Sequence, residues 1–129
     1  MSEESTTTVE LSKEEKETLF NQQINDKADH LTAIHKVKVH PIVFREAIDS
    51  EPIVGYIKEP SRQAKLAVMD KSMVNPFSAS QEIVDYFLIK EESDKRIWDE
   101  NPDNDKYYIG ACKVAFDMVT LSINQFKKK

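Results

Sequence analysis

The chain has few of the residues on which phosphate-binding and redox sites depend. Its 129 residues include two glycines, Gly55 and Gly110, and one cysteine, Cys112. Two isolated glycines exclude a glycine-rich phosphate-binding loop, because that loop needs several backbone positions without side chains. A lone cysteine can form neither an internal disulfide nor a thiolate metal site by itself, so a reducing compartment is favoured.

The chain also has no long apolar run and no excess of positive charge. Its net charge is −5, which makes general attraction to the phosphates of DNA or RNA unfavourable. No apolar stretch approaches the roughly 20 residues that cross a bilayer, and the acidic start MSEESTTTVELSKEEKE is unlike a secretory signal. We therefore expect a cytoplasmic protein that binds neither nucleic acid nor membrane.

The N-terminal part of the sequence predicts a polar tail followed by a helix. Residues 1–11 are rich in Ser, Thr and Glu and are expected to be disordered. A capping box follows, in which Ser12 would accept from the backbone N–H of Glu15 while the Glu15 side chain reaches back to the cap. A helix over residues 12–33 is predicted from apolar residues at helical spacing: Phe20, Ile24, Ala28 and Leu31.

Residues 36–59 predict an antiparallel β-hairpin. The first strand is indicated by alternation around Val37, Val39 and Val43, and the second by the run PIVGYIK. Pro41 cannot donate a ladder hydrogen bond, which places the first strand at a sheet edge or at a bulge. Since two strands alone are marginal in water, helices must cover one face of this hairpin.

Residues 61–129 predict three helices. Ser61 would cap a helix that begins at Arg62 and buries a stripe of Leu66, Met69 and Met73. Asn75 and Pro76 would start the next helix, over residues 76–89, with an apolar face formed by Ile83, Val84, Phe87 and Leu88.

A charged connector, with Ile97 and Trp98 as anchors, leads to the last helix. That helix is predicted over residues 105–127, with a heptad-like apolar seam: Ile109, Cys112, Phe116, Val119, Ile123 and Phe126. The expected fold is α+β, with an antiparallel β-hairpin packed on three C-terminal helices and an extra N-terminal helix. Residues 12–129 are expected to form a single domain.

Three groups of residues could be taken for metal-binding or catalytic sites, and each has a plainer explanation. His30, His35 and His40 recur every five residues, a spacing that shares no face of a helix or strand, so ordinary surface histidines are favoured over zinc ligands. Residues 99–110 follow the spacing of a calcium loop but have Asn104 and Gly110 where glycine and glutamate are required, so helix capping is favoured.

Cys112 lies on the predicted apolar seam, which favours a buried thiol over a nucleophile. No enzyme activity, cofactor or metal is predicted. The expected function is protein binding, since grooves that contain methionine accept varied apolar helices. The seam of the last helix could serve a homo-oligomer as readily as an internal core.

The candidate binding residues are mostly large and apolar, together with one arginine at a helix start: Arg62, Leu66, Met69, Met73, Phe87, Trp98, Tyr108 and Phe116. Tyr107 and Tyr108 are adjacent and point in different directions on a helix, so one of the two is expected to be exposed.

The order of these elements resembles that of small tail-assembly-chaperone-like proteins of bacteriophages and prophages. The resemblance covers about residues 37–129 and includes the junction GYIKEPSR and the segment VNPFSASQEIVDYFLI. The matching positions are Lys58, Pro60, Ser61, Arg62, Asn75, Pro76 and the apolar face from Ile83 to Leu88. The N-terminal helix and the aromatic linker RIWDENPD depart from the family pattern.

The resemblance implies a non-enzymatic assembly protein that binds apolar segments of the tape-measure protein in the host cytoplasm. The alternative is a structural virion protein, a head, neck or tail component or packaged cargo, which binds through the hairpin edge or the N-terminal helix. A weaker third reading is a regulatory binder of a host protein. Lys127, Lys128 and Lys129 are compatible with a frameshift site near the end of the gene, and equally with lysines that complement a helix dipole.

Overall fold

The computed structural model describes the backbone of residues 12–127 and the side chains of residues 12–120. The predicted disorder of residues 1–11 lies outside the described residues. The side chains of Ile123, Phe126 and Lys127 also lie outside the described residues, as do Lys128 and Lys129.

Residues 12–127 form the α+β fold that the sequence predicts. The elements in chain order are α1 (Lys13–His35), β1 (Val39–Phe44), β2 (Ile53–Lys58), α2 (Arg62–Val74), α3 (Pro76–Phe87), α4 (Lys95–Trp98) and α5 (Asp105–Lys127). Short 3₁₀ turns occupy Lys90–Glu92 and Pro102–Asn104. In the described part of the chain, no helix combines the length and apolar character needed to cross a membrane.

The start of α1 confirms the capping box. Ser12 Oγ accepts from the Glu15 N–H at 3.0 Å, and Glu15 Oε1 accepts from the Ser12 N–H at 3.0 Å. The helix ends at His35, where Lys36 adopts a left-handed conformation with a φ of 58° and donates its N–H to the Thr32 carbonyl. Thr32 Oγ1 then accepts from the Val39 N–H at 2.9 Å, which ties the end of α1 to the start of β1.

The hairpin is the middle layer of the fold, because helices cover both of its faces. Side chains alternate across β1 and β2. Val39 and Tyr56 therefore belong to one buried cluster, with Ile24, Ala28 and Leu31 of α1. The other hairpin face contributes Ile42, Ile53 and Ile57 to a larger cluster with α3, α4 and α5. The expectation of a single covered face was incomplete, since α1 packs on the second one.

The outer edge of β2 is covered by the connector that follows α3. Helix α3 ends at Phe87, and Leu88 forms an isolated bridge with Ile57 instead of extending the helix to residue 89. Ile89 then donates its N–H to the Tyr56 carbonyl at 2.8 Å, and Asp94 donates to the Val54 carbonyl at 2.9 Å. These bonds satisfy backbone groups that point away from β1.

The two predicted helix starts at Ser61 and Asn75 are confirmed. Ser61 Oγ accepts from the Ala64 N–H at 3.1 Å, and Asn75 Oδ1 accepts from the Ser78 N–H at 3.2 Å, with Pro76 as the first residue of α3. The predicted apolar face of α3 is also confirmed, because Ile83 and Val84 are buried in the larger cluster. Ile97 is fully buried, as its predicted role as an anchor requires.

The predicted buried stripe of α2 is wrong. Leu66 is 58% exposed and Met73 is 85% exposed, while Met69 is half-buried. The buried residue of α2 is Val68, which joins the larger cluster. Helical spacing predicts that a stripe exists, but the position of α3 decides which side of α2 is covered.

The predicted seam of α5 is correct in part. Cys112 and Val119 are buried, but Ile109 is 47% exposed and Phe116 is half-buried. The small residues Ala111 and Ala115 take the central buried positions. The buried stripe is therefore rotated away from Ile109 and Phe116, which come to lie on the flank of the helix.

Candidate functional site

An apolar groove runs between α3 and α5. Its α3 side is formed by Pro76, Phe77 and Ser80, and its α5 side by Ile109, Lys113 and Phe116, with Cys112 also in the lining. The groove has a volume of about 300 Å³, which is at the small end for a binding pocket. Its lining is almost entirely apolar, and the Ser80 hydroxyl donates to the Phe77 carbonyl at 2.8 Å.

Local sequence features place the two walls of the groove. Asn75 and Pro76 fix the first turn of α3, and Phe77 is the second residue of that helix. Phe77 is 54% exposed. On α5, the buried stripe turns Ala111 and Ala115 toward the core, so Ile109 and Phe116 remain beside the groove. The apolar lining thus consists of side chains of α3 and α5 that lie beside the core.

Helix α2 adds exposed apolar residues next to the start of α3. Met73 and Val74 end α2 and are 85% and 89% exposed. Helices α2 and α3 pack against each other, and an ion pair between Lys71 and Glu82 joins them. Of the stripe that was predicted to be buried, Leu66 and Met73 are thus exposed and Met69 is half-buried.

Of the eight predicted binding residues, only Phe116 lines the groove. Arg62 is exposed at the first position of α2, and Phe87 is half-buried against the larger cluster. Trp98 also packs on that cluster, and its indole N–H is buried without an acceptor among the described residues. A binding role for these residues stays a prediction.

Tyr107 and Tyr108 are both half-buried, so the expectation that one of them is exposed was wrong. Tyr108 donates its hydroxyl to Asp85 at 2.8 Å, and Tyr107 donates to Glu46 at 3.2 Å. Burial, followed by the hydrogen bond to Asp85, raises the pKa of Tyr108. Each ring lies on a different side of α5 and ties that helix to a different element.

Sequence reasoning missed Phe77, Ser80 and Lys113, and it placed Ile109 in the core. Phe77 and Ser80 are three residues apart at the start of α3, which puts them on the same helix face. That spacing could have indicated a second, partly apolar face on α3. It could not have indicated which part of α5 lies opposite.

The Cys112 thiol is buried where it meets the groove. Cys112 is 1% exposed, and burial raises the pKa of its thiol to about 11. A thiol with so high a pKa is protonated at neutral pH and is a poor nucleophile. The interpretation of Cys112 as a buried packing residue agrees with this geometry.

His40 and the acidic connector have structural contacts of their own. His40 contacts the Glu59 carboxylate, while Asp99 accepts from the Asn104 side-chain amide at 2.9 Å and Asn101 caps the following turn. In the part of the chain that is described, no three His, Cys, Asp or Glu side chains converge as metal ligands would.

The outer edge of β1 offers little to a partner strand. Glu59 donates its N–H to the Lys38 carbonyl at 2.7 Å, so by alternation the backbone groups of Val39, Pro41 and Val43 point away from β2. The Val39 N–H already donates to Thr32 Oγ1, and proline has no N–H. The predicted edge position of Pro41 is confirmed, and strand addition at this edge is disfavoured.

No family model, no curated protein and no solved structure was found to match this chain. A functional assignment therefore depends on the groove, on the exposed apolar residues around it, and on the residues that carry the family resemblance.

Proposed function

We propose that this chain is a non-enzymatic bacteriophage assembly protein, a tail assembly chaperone that binds apolar segments of the tape-measure protein in the host cytoplasm. The observation that supports the proposal is a set of large apolar side chains exposed on three adjoining helices: Leu66, Met73, Val74, Phe77 and Ile109. Phe77 and Ile109 line the same groove, and exposed apolar side chains that lie together are typical of a surface that binds another protein. The resemblance of residues 37–129 to tail-assembly-chaperone-like proteins suggests the partner.

The groove suits an amphipathic helix better than an extended strand. An amphipathic helix presents apolar side chains at intervals of one turn, and such a row can lie between Phe77 on one wall and Ile109 and Phe116 on the other. A partner strand would need free backbone donors, which the outer edge of β1 mostly lacks. The geometry therefore favours helix-in-groove binding over strand addition.

The expected affinity is moderate, which fits a chaperone that must release its client. Full burial of one large apolar side chain contributes about 1.5–3 kcal/mol, but the loss of translational and side-chain freedom offsets much of this gain. A short groove with few apolar side chains would therefore bind one segment reversibly. A long client would need several copies of the protein along its length.

The proposal is tested by co-expression with a fragment of the tape-measure protein encoded by the same phage. We expect the wild-type chain to keep the fragment soluble, and the double substitution Phe77→Ser with Ile109→Ser to lose this effect. Both side chains are about half exposed, so their replacement should leave the fold intact. The measurement is the soluble fraction of the fragment after centrifugation.

The matched control replaces two exposed apolar residues outside the groove, Leu19→Ser and Tyr86→Ser. This control variant should retain the solubilising effect. Equal precipitation with and without the wild-type chain would refute the chaperone proposal. Mass spectrometry of purified particles separates it from the structural alternative, because a virion component is present at a fixed copy number and a chaperone is scarce or absent.

A further inference from the structure

A second open cleft lies on the opposite side of the hairpin, between the first turns of α1 and the turn that joins β1 to β2. It has a volume of about 730 Å³. Its apolar lining comes from Phe20, Ile48 and Pro52. Ile48 is 86% exposed at the tip of the turn. Helix α1 docks through Ile24, Ala28 and Leu31, so its first turns extend past the docked region and form one wall of the cleft.

Three cationic side chains line this cleft: Lys13, Lys16 and Arg45. None of them forms an ion pair with a carboxylate among residues 12–120. Arg45 donates instead to the Ser50 carbonyl at 2.9 Å. Five other cations lie against a carboxylate, Lys27, Lys65, Lys71, Arg96 and Lys106, whereas several exposed lysines elsewhere in the described residues are also in no ion pair. The cleft is therefore distinguished by the grouping of its cations and not by their lack of carboxylate partners.

Within the described residues, the two lysines of the cleft, unlike Arg45, make no contact that would explain them by the stability of the fold. The net charge of the chain is −5, so carboxylates outnumber cations and partners are plentiful. Lys13 is the first residue of α1, where the helix dipole favours an anion and opposes a cation. The three cations outnumber the two carboxylates of the cleft, Glu17 and Glu51, so the lining is net positive on an acidic protein. A net positive lining at a helix end that disfavours cations points to an anionic ligand.

We propose that this cleft is a second protein-binding site, which takes an acidic peptide segment that carries an apolar side chain. The apolar side chain would lie against Phe20 and Ile48, while the carboxylates of the segment would meet Lys13, Lys16 and Arg45. The complementary charge supports this occupant. This cleft shares no lining residue with the α3–α5 groove, so a negative result at one of them leaves the proposal for the other unaffected.

The lining also distinguishes a peptide from a nucleic acid. Glu17 and Glu51 lie in the same cleft and would repel a continuous row of phosphates. A peptide can place its carboxylates near the three cations and present apolar or neutral groups to the two glutamates. Phosphate contacts alone would give the exposed Ile48 side chain nothing to pack against.

The test is fluorescence anisotropy of the full chain with a short labelled peptide in which glutamates alternate with leucines. We expect the triple charge reversal Lys13→Glu, Lys16→Glu and Arg45→Glu to weaken binding by about tenfold or more. The control reversal Lys38→Glu, Lys90→Glu and Lys95→Glu alters net charge equally at exposed sites outside the cleft and should leave affinity nearly unchanged. Added salt should weaken wild-type binding.

A single substitution keeps the test decisive if the triple variant misfolds. Ile48→Ser removes a side chain that is almost fully exposed, so it should fold normally and weaken the peptide several-fold. Equal losses from the two charge reversals would overturn the site. So would binding of an oligothymidine probe as tight as that of the peptide. Stronger peptide binding after Glu3→Gln, Glu4→Gln and Glu10→Gln would identify the chain's own acidic N-terminal residues as the occupant and overturn a separate partner.

Discussion

At the scale of single residues, both glycines serve close packing. A Cβ at Gly55 would lie 3.0 Å from Ile97 Cδ1 and 3.1 Å from Ile42 Cγ1, and both isoleucines are fully buried in the larger cluster. A Cβ at Gly110 would lie 2.8 Å from the ring of Phe44. Neither glycine has a positive φ. Their role is to let a neighbouring side chain approach the backbone.

Gly55→Ala should therefore destabilise the protein, because the added methyl group would lie closer than ordinary van der Waals contact to two buried isoleucines and would force them to shift. The expected cost is about 1–3 kcal/mol in the free energy of unfolding. Chemical denaturation with urea measures it. Ile97→Val alone should cost about 0.5–1.5 kcal/mol for the lost methyl group.

The double variant with Ile97→Val decides whether this contact is the cause. Valine lacks the Cδ1 atom that the new methyl group would meet, so the double variant should cost less than the sum of the two single variants. Strict additivity would show that Gly55 is needed for another reason.

At the scale of elements, α1 consists of two halves that are held differently. Its C-terminal half packs on the hairpin through Ile24, Ala28 and Leu31, while most of its first two turns are exposed and rely on the Ser12 cap. We expect Ser12→Ala to loosen the start of α1 without unfolding the domain, because the loss of an N-cap costs about 0.5–2 kcal/mol locally.

Amide hydrogen exchange measures this effect. The Glu15 N–H, which donates to Ser12 Oγ, should exchange faster in the Ser12→Ala variant, while the amides of β1 and β2 should be unchanged. Leu31→Ala is the comparison, since it should lower the global stability by about 2–5 kcal/mol. Equal effects of both variants on the strand amides would contradict a division of α1 into two halves.

Signals that are local in sequence predicted the elements well. Ser12, Ser61 and the Asn75–Pro76 pair each satisfy backbone donors within three residues, so no distant partner is needed to read them. Pro41 similarly indicates an edge strand by what its own backbone lacks. The starts of α1, α2 and α3 followed from these residues within one position, whereas α4 lies in the segment that was predicted to be a charged connector.

The orientation of α2 and α5 could not be predicted in the same way. Both helices carry apolar residues on more than one side, and the side that becomes buried is the one whose shape fits the neighbouring element. Ala111 and Ala115 allow the close approach of α5, whereas Ile109 is left on the flank. The groove lies between two helices whose relative rotation is a tertiary property, so Phe77 and Lys113 were missed.

At the scale of the whole molecule, Glu59 connects the hairpin to the helical part. Its carboxylate contacts both His40 of β1 and Lys65 of α2. Burial alone would raise the pKa of Glu59, but the hydrogen bonds and charges of Lys65 and His40 outweigh it and hold the pKa below its ordinary value of 4.5. The ionised form is therefore favoured in the folded state.

This contact predicts a loss of stability in acid. A carboxylate with a lower pKa in the folded state stabilises the fold fully above its unfolded pKa, and this contribution is lost as the pH falls through the folded value. The free energy of unfolding should therefore fall less steeply in Glu59→Gln than in wild type as the pH falls below 4.5. Glu100→Gln, at an exposed position, controls for the loss of one charge. Parallel pH profiles for wild type and Glu59→Gln would contradict the role of Glu59.

The position of Cys112 gives the molecule an intrinsic reporter. Because it is the sole thiol and borders the space between α3 and α5, its alkylation rate would report the fraction of time for which those two helices are apart, without any foreign label. A client seated there would slow the modification, and a client bound elsewhere would not. Occupancy of the groove could thus be followed on the native chain.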